Sequence, residues 1–184
     1  MISIPDLIKK IESCTPKQKT MLIAIDGRGG SGKSTLADLL QQKLSNVTIV
    51  HIDDFAYPDT DRQRLREQVI NPLKNNQKAK YQRYDWNTKA LAEWHEIRPG
   101  GVVIIEGVRS LDEALYKDYD QRIWIECSAE KGFERGLLRD VTVHKVDTKD
   151  KWINDWMPKE QAYIDSQNPQ NRADYVIDGT KEIK

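Results

Sequence analysis

Nine consecutive residues, Gly27-Arg28-Gly29-Gly30-Ser31-Gly32-Lys33-Ser34-Thr35, carry the spacing G-x-x-x-x-G-K-[ST]. That spacing builds a loop whose backbone N–H groups turn inward around phosphate oxygens. Four of the six positions from Gly27 to Gly32 are glycine, which suits dihedrals that a Cβ would obstruct. Lys33 can reach the β and γ phosphates, and the Ser34 hydroxyl is placed to ligate Mg²⁺. The chemistry implied is the binding of ATP with Mg²⁺. A glycine-rich turn with a chance lysine would spell the same letters, so the flanking elements decide between the two.

Two further segments deliver carboxylates directly after apolar runs. His51-Ile52-Asp53-Asp54-Phe55 follows Val47 to Val50, and Glu106 follows Val102 to Ile105, with Gly107-Val108-Arg109 behind it. In doubly wound α/β folds, ligands bind beyond the carboxyl ends of the strands. Asp53 is therefore expected to face the phosphates, where it could accept the proton of an attacking hydroxyl or orient Mg²⁺. The bland alternative is a solvated Asp pair capping a turn. Glu106 is assigned to Mg²⁺ through water or to a substrate hydroxyl. Arg109 could touch substrate or phosphate, or pair with a nearby acid.

The elements that must position these groups read as one α/β domain over residues 1–184. Met21 to Ile25 is a continuous apolar run ending at the glycine loop, as expected of a strand buried on both faces. A helix from Lys33 carries Leu36, Leu39, Leu40 and Leu44 on one stripe, and a second strand spans Val47 to Ile52. Further strands are expected at Val102 to Ile105, Ile123 to Ile125 and Tyr175 to Ile177. Helices are expected over Leu111 to Tyr119, over Ala129 to Leu138 with Ser128 as N-cap, and over Lys149 to Ile164, kinked or broken at Pro158. Trp152 and Trp156, at i and i+4, read as one helix face packed on the sheet. The alternation, with the glycine loop after the first strand, predicts an α/β P-loop NTPase fold: about five parallel strands with helices on both faces. An amphipathic accessory helix at about 3–13 precedes the domain, with Ile4, Leu7, Ile8 and Ile11 on one side.

The stretch from Asn71 to Gly101 is polar, carries Tyr81, Tyr84, Trp86 and Trp94, and resists this scheme; it is read as a substrate-side insertion. Tyr84 and Trp86 could wall a flat substrate or simply fill the core. Asp85 could bond substrate hydroxyls or sit in a surface loop.

Composition narrows the function classes. Lys+Arg and Asp+Glu both number 29, so no overall basic field exists to hold a nucleic acid. Cys14 and Cys127 lack any zinc or disulfide pattern, and His51, His95 and His144 lack metal-ligand spacing. With no secretory h-region at the N-terminus and no membrane-length apolar run, a cytoplasmic protein with a small-molecule partner is expected. A homo-oligomer is compatible with the sequence. A GTPase would want Asp-x-x-Gly after a strand and Asn-Lys-x-Asp for guanine, and neither stands in a suitable place.

In their order and spacing, six segments resemble the uridine kinase-like P-loop kinases, relatives of phosphoribulokinase and pantothenate kinase. They are DGRGGSGKST at Asp26 to Thr35, HIDDF at His51 to Phe55, YDW at Tyr84 to Trp86, IIEGV at Ile104 to Val108, RGLLRD at Arg135 to Asp140 and ADYVI at Ala173 to Ile177. The resemblance implies transfer of the γ-phosphoryl group of ATP to a hydroxyl, most simply that of a nucleoside such as uridine or cytidine. It assigns the general base to Asp53 rather than Asp54, and phosphate-closing arginines to Arg135 and Arg139 beside a lid at about 139–150. Two departures stand out. Asn87, Thr88 and Lys89 follow YDW where the family's uridine kinases carry a base-reading histidine, and VTVHKVDTKDK follows Asp140 where further lid arginines are expected, leaving His144 or Lys145 to stand in. A kinase for another alcohol, or a protein that binds ATP without transferring phosphate, remain the rival readings.

Overall fold

A computed structural model describes residues 1–16, 18–55 and 62–183. The chain runs α1 (Ile4–Ser13), β1 (Thr20–Gly27), α2 (Lys33–Lys43), β2 (Val47–His51), a helical stretch α3 (62–74), β3 (Ala79–Asp85), β4 (Ala90–Ile97), β5 (Gly101–Glu106), β6 (Gln121–Glu126), α4 (Ala129–Arg139), α5 (149–167) and β7 (Tyr175–Asp178). Five strands form one parallel sheet in the order β2-β5-β1-β6-β7, and β3 and β4 form a separate antiparallel pair. The five expected strands and the helices over both faces are thus present. Among the described residues no helix is long and apolar enough to cross a membrane.

Period-2 alternation explains how one apolar run serves two cores. From β1, Leu22 and Ala24 join Val50, Val103 and Ile105 on one face, beneath Leu65, Val69, Ile70 and Leu73 of α3. Met21, Ile23 and Ile25 point the other way, packing with Ile104, Ile123 and Ile125 against Leu7 and Ile11 of α1 and Leu36 and Leu40 of α2. Every residue of β1 is buried, and each large apolar side chain so buried contributes about 1.5–3 kcal/mol. This central strand ends at the glycine loop, which is thereby anchored to the buried core.

One expected helix is absent. Leu111 to Tyr119 forms turns and a short 3₁₀ segment at Tyr116–Asp118, not a helix. Its amides are engaged elsewhere: Leu111 N donates to the Asp26 carboxylate and Ala114 N to that of Asp112, and such side-chain acceptors compete with helical bonding. The polar insertion contains a hairpin pairing Ala79 with Ile97 and Tyr81 with His95, with a bulge between Gln82 and Tyr84 that breaks the alternation a strand would show. In α5, a wide i→i+5 turn at Trp152–Trp156 lies just before Pro158, whose ring nitrogen cannot donate; Met157 N bonds Trp152 O.

Trp152 itself is not laid on the sheet. It is 3% exposed, meets Phe133 and Trp156 edge-on, and fills a slot between Gly29 of the loop and Gly136 of α4. A Cβ on Gly136 would overlap its six-membered ring. Replacing Gly136 by Ala should therefore lower stability by about 1–3 kcal/mol through overpacking, read as a reduced urea midpoint at unchanged slope.

Candidate functional site

The glycine loop, Asp53 and Glu106 come together at the carboxyl ends of β1, β2 and β5. Gly30 and Gly32 have φ of 69° and 104°, in the left-handed region that L side chains rarely adopt. Gly32 is also the residue before α2 and offers no side-chain cap. The first-turn amides of α2, at Lys33, Ser34 and Thr35, have no intrahelical acceptors and are left for an anion. Ser31 Oγ is buried without a hydrogen-bond partner in the same loop. An amide-lined cradle with an uncapped helix start fits a polyphosphate.

Asp26, at the end of β1, organises the surroundings. Its fully buried carboxylate accepts from the N–H groups of Gly27 (2.7 Å), Arg109 (3.1 Å) and Leu111 (2.8 Å) and from the Tyr163 hydroxyl (2.7 Å). Burial pushes the carboxyl up from its ordinary value, against the pull of these bonds and of Lys33. Four donors tie the loop's first residue to the segment after β5 and to α5.

The Lys33 side chain is buried, and its ammonium donates to the carbonyls of Gly27 (3.0 Å) and Arg28 (2.7 Å). No carboxylate needs to be displaced for it to swing toward phosphate. Register sets the acidic side of the site. His51 and Glu106 lie opposite one another on β2 and β5, and His51 Nδ1 is 2.6 Å from Glu106 Oε1. Ser34 Oγ donates to the same oxygen at 3.2 Å. Burial pushes the Glu106 carboxyl up, but the His51 bond, Lys33 and Ser34 outweigh it and hold the group below its usual value. The Glu106 bond raises His51 in turn.

Asp53 lies in a 3₁₀ turn, Ile52–Phe55. The residue is exposed to water, and partial desolvation with the nearby Glu106 charge raises its carboxyl. The access to water limits the extent of that rise. A carboxylate shifted upward is a better proton acceptor than an ordinary one. Asp54 instead accepts from the Tyr81 hydroxyl at 3.2 Å and is tied to the hairpin.

Mg²⁺ is held by one or two carboxylates together with phosphate oxygens and water. Ser34, Glu106 and Asp53 make a donor set of that kind. Among the described residues no group of three His, Cys, Asp or Glu side chains forms a metal cage of its own.

The hairpin stands beside Asp53. Trp86 is 59% exposed, its indole N–H reaches the Asp53 carbonyl at 3.3 Å, and it meets the buried Tyr84 edge-on at 5.2 Å. Asp85 accepts from the amides of Asn87 and Thr88 and pairs with Arg83. These contacts hold its carboxyl below the usual range and make it a turn-former. Arg109 has φ of 72° and lies over the Tyr163 ring at 5.6 Å.

The structure does not gather the two lid arginines at the cradle. Arg135 donates to the carbonyls of Gly179 and Thr180, and the half-exposed Arg139 pairs with Asp140 at 2.8 Å. Asp140 also accepts from Thr148 (2.6 Å) and the Trp152 indole (3.0 Å), which closes the lid segment on itself. Lys145 ends the wide turn Asp140–His144 in the left-handed conformation. Sequence reasoning missed three residues at the site. Asp26 was signalled by an acid closing an apolar run, and His51 by its offset from Asp53; Glu160, whose carboxylate meets Gly29 N at 3.0 Å, left no local signal.

A family model described as AAA domain matches residues 23–152. A curated uridine kinase from Borrelia duttonii (strain Ly) is 27% identical over 139 residues, covering 66% of this chain and 68% of its own. One from Staphylococcus aureus (strain JH9) is 25% identical over 183 residues, covering 86% and 87%. A solved structure described as a possible uridine kinase, from Bacillus stearothermophilus, superposes with a TM-score of 0.70 over 95% of this chain and 97% of its own, at 24% identity.

The His51–Glu106 contact gives the metal-free protein a pH dependence. A histidine raised in the folded state contributes stability that is fully present below its unfolded value of about 6.5 and is lost as pH rises through the folded value. Half of the His51 side chain is exposed, so the effect is no more than about 1 kcal/mol. With EDTA present, urea midpoints should fall between pH 6 and pH 8.5, and His51→Gln should flatten that fall.

Proposed function

The chain belongs to the AAA domain family, a P-loop family, and we propose that it is an ATP-dependent kinase. It transfers the γ-phosphoryl group to a hydroxyl of a small molecule, with a nucleoside such as uridine or cytidine as the acceptor. The observation that carries this reading is the glycine cradle running into an uncapped start of α2, with Asp53 near enough to Lys33 and Glu106 for both charges to act on its carboxyl. The uridine kinases to which the chain is similar support the choice of acceptor.

In this mechanism the loop from Gly27 to Ser34 grips the triphosphate through backbone amides, and the start of α2 adds its positive end. Lys33 leaves the Gly27 and Arg28 carbonyls and follows the charge that develops on the transferred group. Ser34 and Glu106 would hold Mg²⁺, which would supply charge neutralisation to the triphosphate. Asp53 takes the proton of the acceptor hydroxyl, its raised value matching it to that task. The exposed Trp86 indole, braced edge-on by the buried Tyr84, offers a face on which a flat acceptor can stack. Arg139 needs only to exchange Asp140 for a phosphate oxygen, since its guanidinium is half-exposed, whereas Arg135 would have to leave the Gly179 and Thr180 carbonyls. Asp85 and Arg109 serve the acceptor side indirectly, by shaping the hairpin turn and the segment after β5.

Asp53→Asn should cut turnover by two orders of magnitude or more, roughly the weight of a general base, while MgATP affinity measured by calorimetry stays close to that of the wild type. A parallel loss of rate and affinity would reduce Asp53 to a metal ligand. ATP consumption across a panel of nucleosides and other alcohols identifies the acceptor, and tight ATP binding with no transfer to any of them would favour a binding protein.

A further inference from the structure

Glu160 is a carboxylate at the phosphate loop that phosphoryl transfer does not use. It lies on α5, is 9% exposed, and its Oε1 accepts the N–H of Gly29 at 3.0 Å. Gly29 is wedged at the same time by Trp152: a Cβ there would lie 2.5 Å from Trp152 Cη2 and 2.9 Å from Glu160 Oε1. The neighbouring Gln161 accepts from Arg28 Nη2 at 2.5 Å. From α4, Gly132 backs directly onto the loop, and a Cβ on Gly132 would lie 2.5 Å from the Gly29 carbonyl. The outer bend, Arg28 to Gly30, is thus gripped by side chains and backbone from two later helices.

Such a grip has a physical purpose. A glycine-rich loop loses more conformational freedom on ordering than any other segment of its length. Where the loop is free, that ordering falls on the ligand and weakens its binding; where it is already held, it does not. Burial pushes the Glu160 carboxyl up and Lys33 opposes the rise, so the group is kept in place despite an unfavourable environment. An acid near a phosphate site would by charge alone weaken anion binding. Its oxygen is instead engaged with a loop amide.

We infer that Glu160 is a positioning residue for the phosphate cradle, fixing the Gly29 amide so that the loop is preformed for a triphosphate and joining α5 to nucleotide binding. The inference rests on the nucleotide-binding reading above and adds a residue to it. The contact made is a hydrogen bond, so an amide carbonyl can replace the carboxylate, whereas a side chain one methylene shorter cannot reach.

The test is calorimetric titration of the full chain with MgATP, comparing wild type with Glu160→Ala, Glu160→Gln and Glu160→Asp. Glu160→Ala and Glu160→Asp should weaken binding about ten-fold, the value of a hydrogen bond from a charged partner, and Glu160→Gln should recover most of it. In steady-state assays KM for ATP should follow, with kcat and the acceptor KM changing much less. If Glu160→Ala does not fold, as judged by circular dichroism, Glu160→Asp carries the comparison. Affinity equal to wild type in Glu160→Ala or Glu160→Asp overturns the inference and leaves the kinase reading standing. Tighter binding in Glu160→Gln than in wild type also overturns it, since the carboxylate would then be repelling phosphate. Failure of the wild type itself to bind MgATP removes the nucleotide reading and this inference with it.

Discussion

The structure depends on holding one short loop in a shape its backbone would not choose. Between β1 and α2 the chain must aim successive amides inward, with Gly30 and Gly32 in the left-handed region. Nothing local stabilises such a loop, because glycine contributes no side-chain contacts. The stability comes from its neighbours. β1, buried along its whole length, fixes the entry; the four donors to Asp26 fix the first turn; and the glycine face of α4 with Trp152 fixes the outer bend. The fold can be understood as the set of packing contacts that makes an unfavourable loop the lowest-energy one.

Charge is arranged around the loop so that each group at the site has a temporary partner. Lys33 rests on carbonyls, Glu106 on His51 and Ser34, and Arg139 on Asp140. None of these contacts is a fully buried pair of opposite charges, which would be expensive to break. Hydrogen bonds to carbonyls, a half-exposed histidine and a half-exposed arginine are all cheap to exchange. A site that must alternate between empty and phosphate-filled states needs partners of that strength. The chain's zero net charge places the burden of anion binding on these local groups and not on any long-range field.

What could be read in advance follows from the range of the forces involved. The phosphate loop, the five strands and α4 with its Ser128 cap are local in origin, and periodicity, glycine spacing and capping reveal them. Asp53 and Glu106 were legible because strand ends in this class of fold face the ligand. The hairpin escaped because a bulge between Gln82 and Tyr84 breaks its alternation. The segment from Leu111 to Tyr119 misled because its four-residue apolar spacing survives although Asp26 and Asp112 take the amides a helix would need. Trp152 misled for a related reason: its partners are glycines, and an absent side chain leaves no apolar pattern to match.

The arrangement separates two tasks along the chain. The groups proposed to act on phosphate stand on the parallel sheet and on α2, α4 and α5, bound to one another by backbone contacts and the Asp26 hub. The groups available to an acceptor stand on the hairpin, which reaches the catalytic side through two hydrogen bonds, Trp86 to the Asp53 carbonyl and Tyr81 to the Asp54 carboxylate. Changes to the hairpin's outward side chains therefore leave the loop's supports untouched, since none of those supports comes from β3 or β4. Affinity for nucleotide and choice of acceptor can vary independently on such a scaffold. The departures from the uridine kinase pattern after Trp86 fall on the turn between β3 and β4, away from the contacts that support the glycine loop.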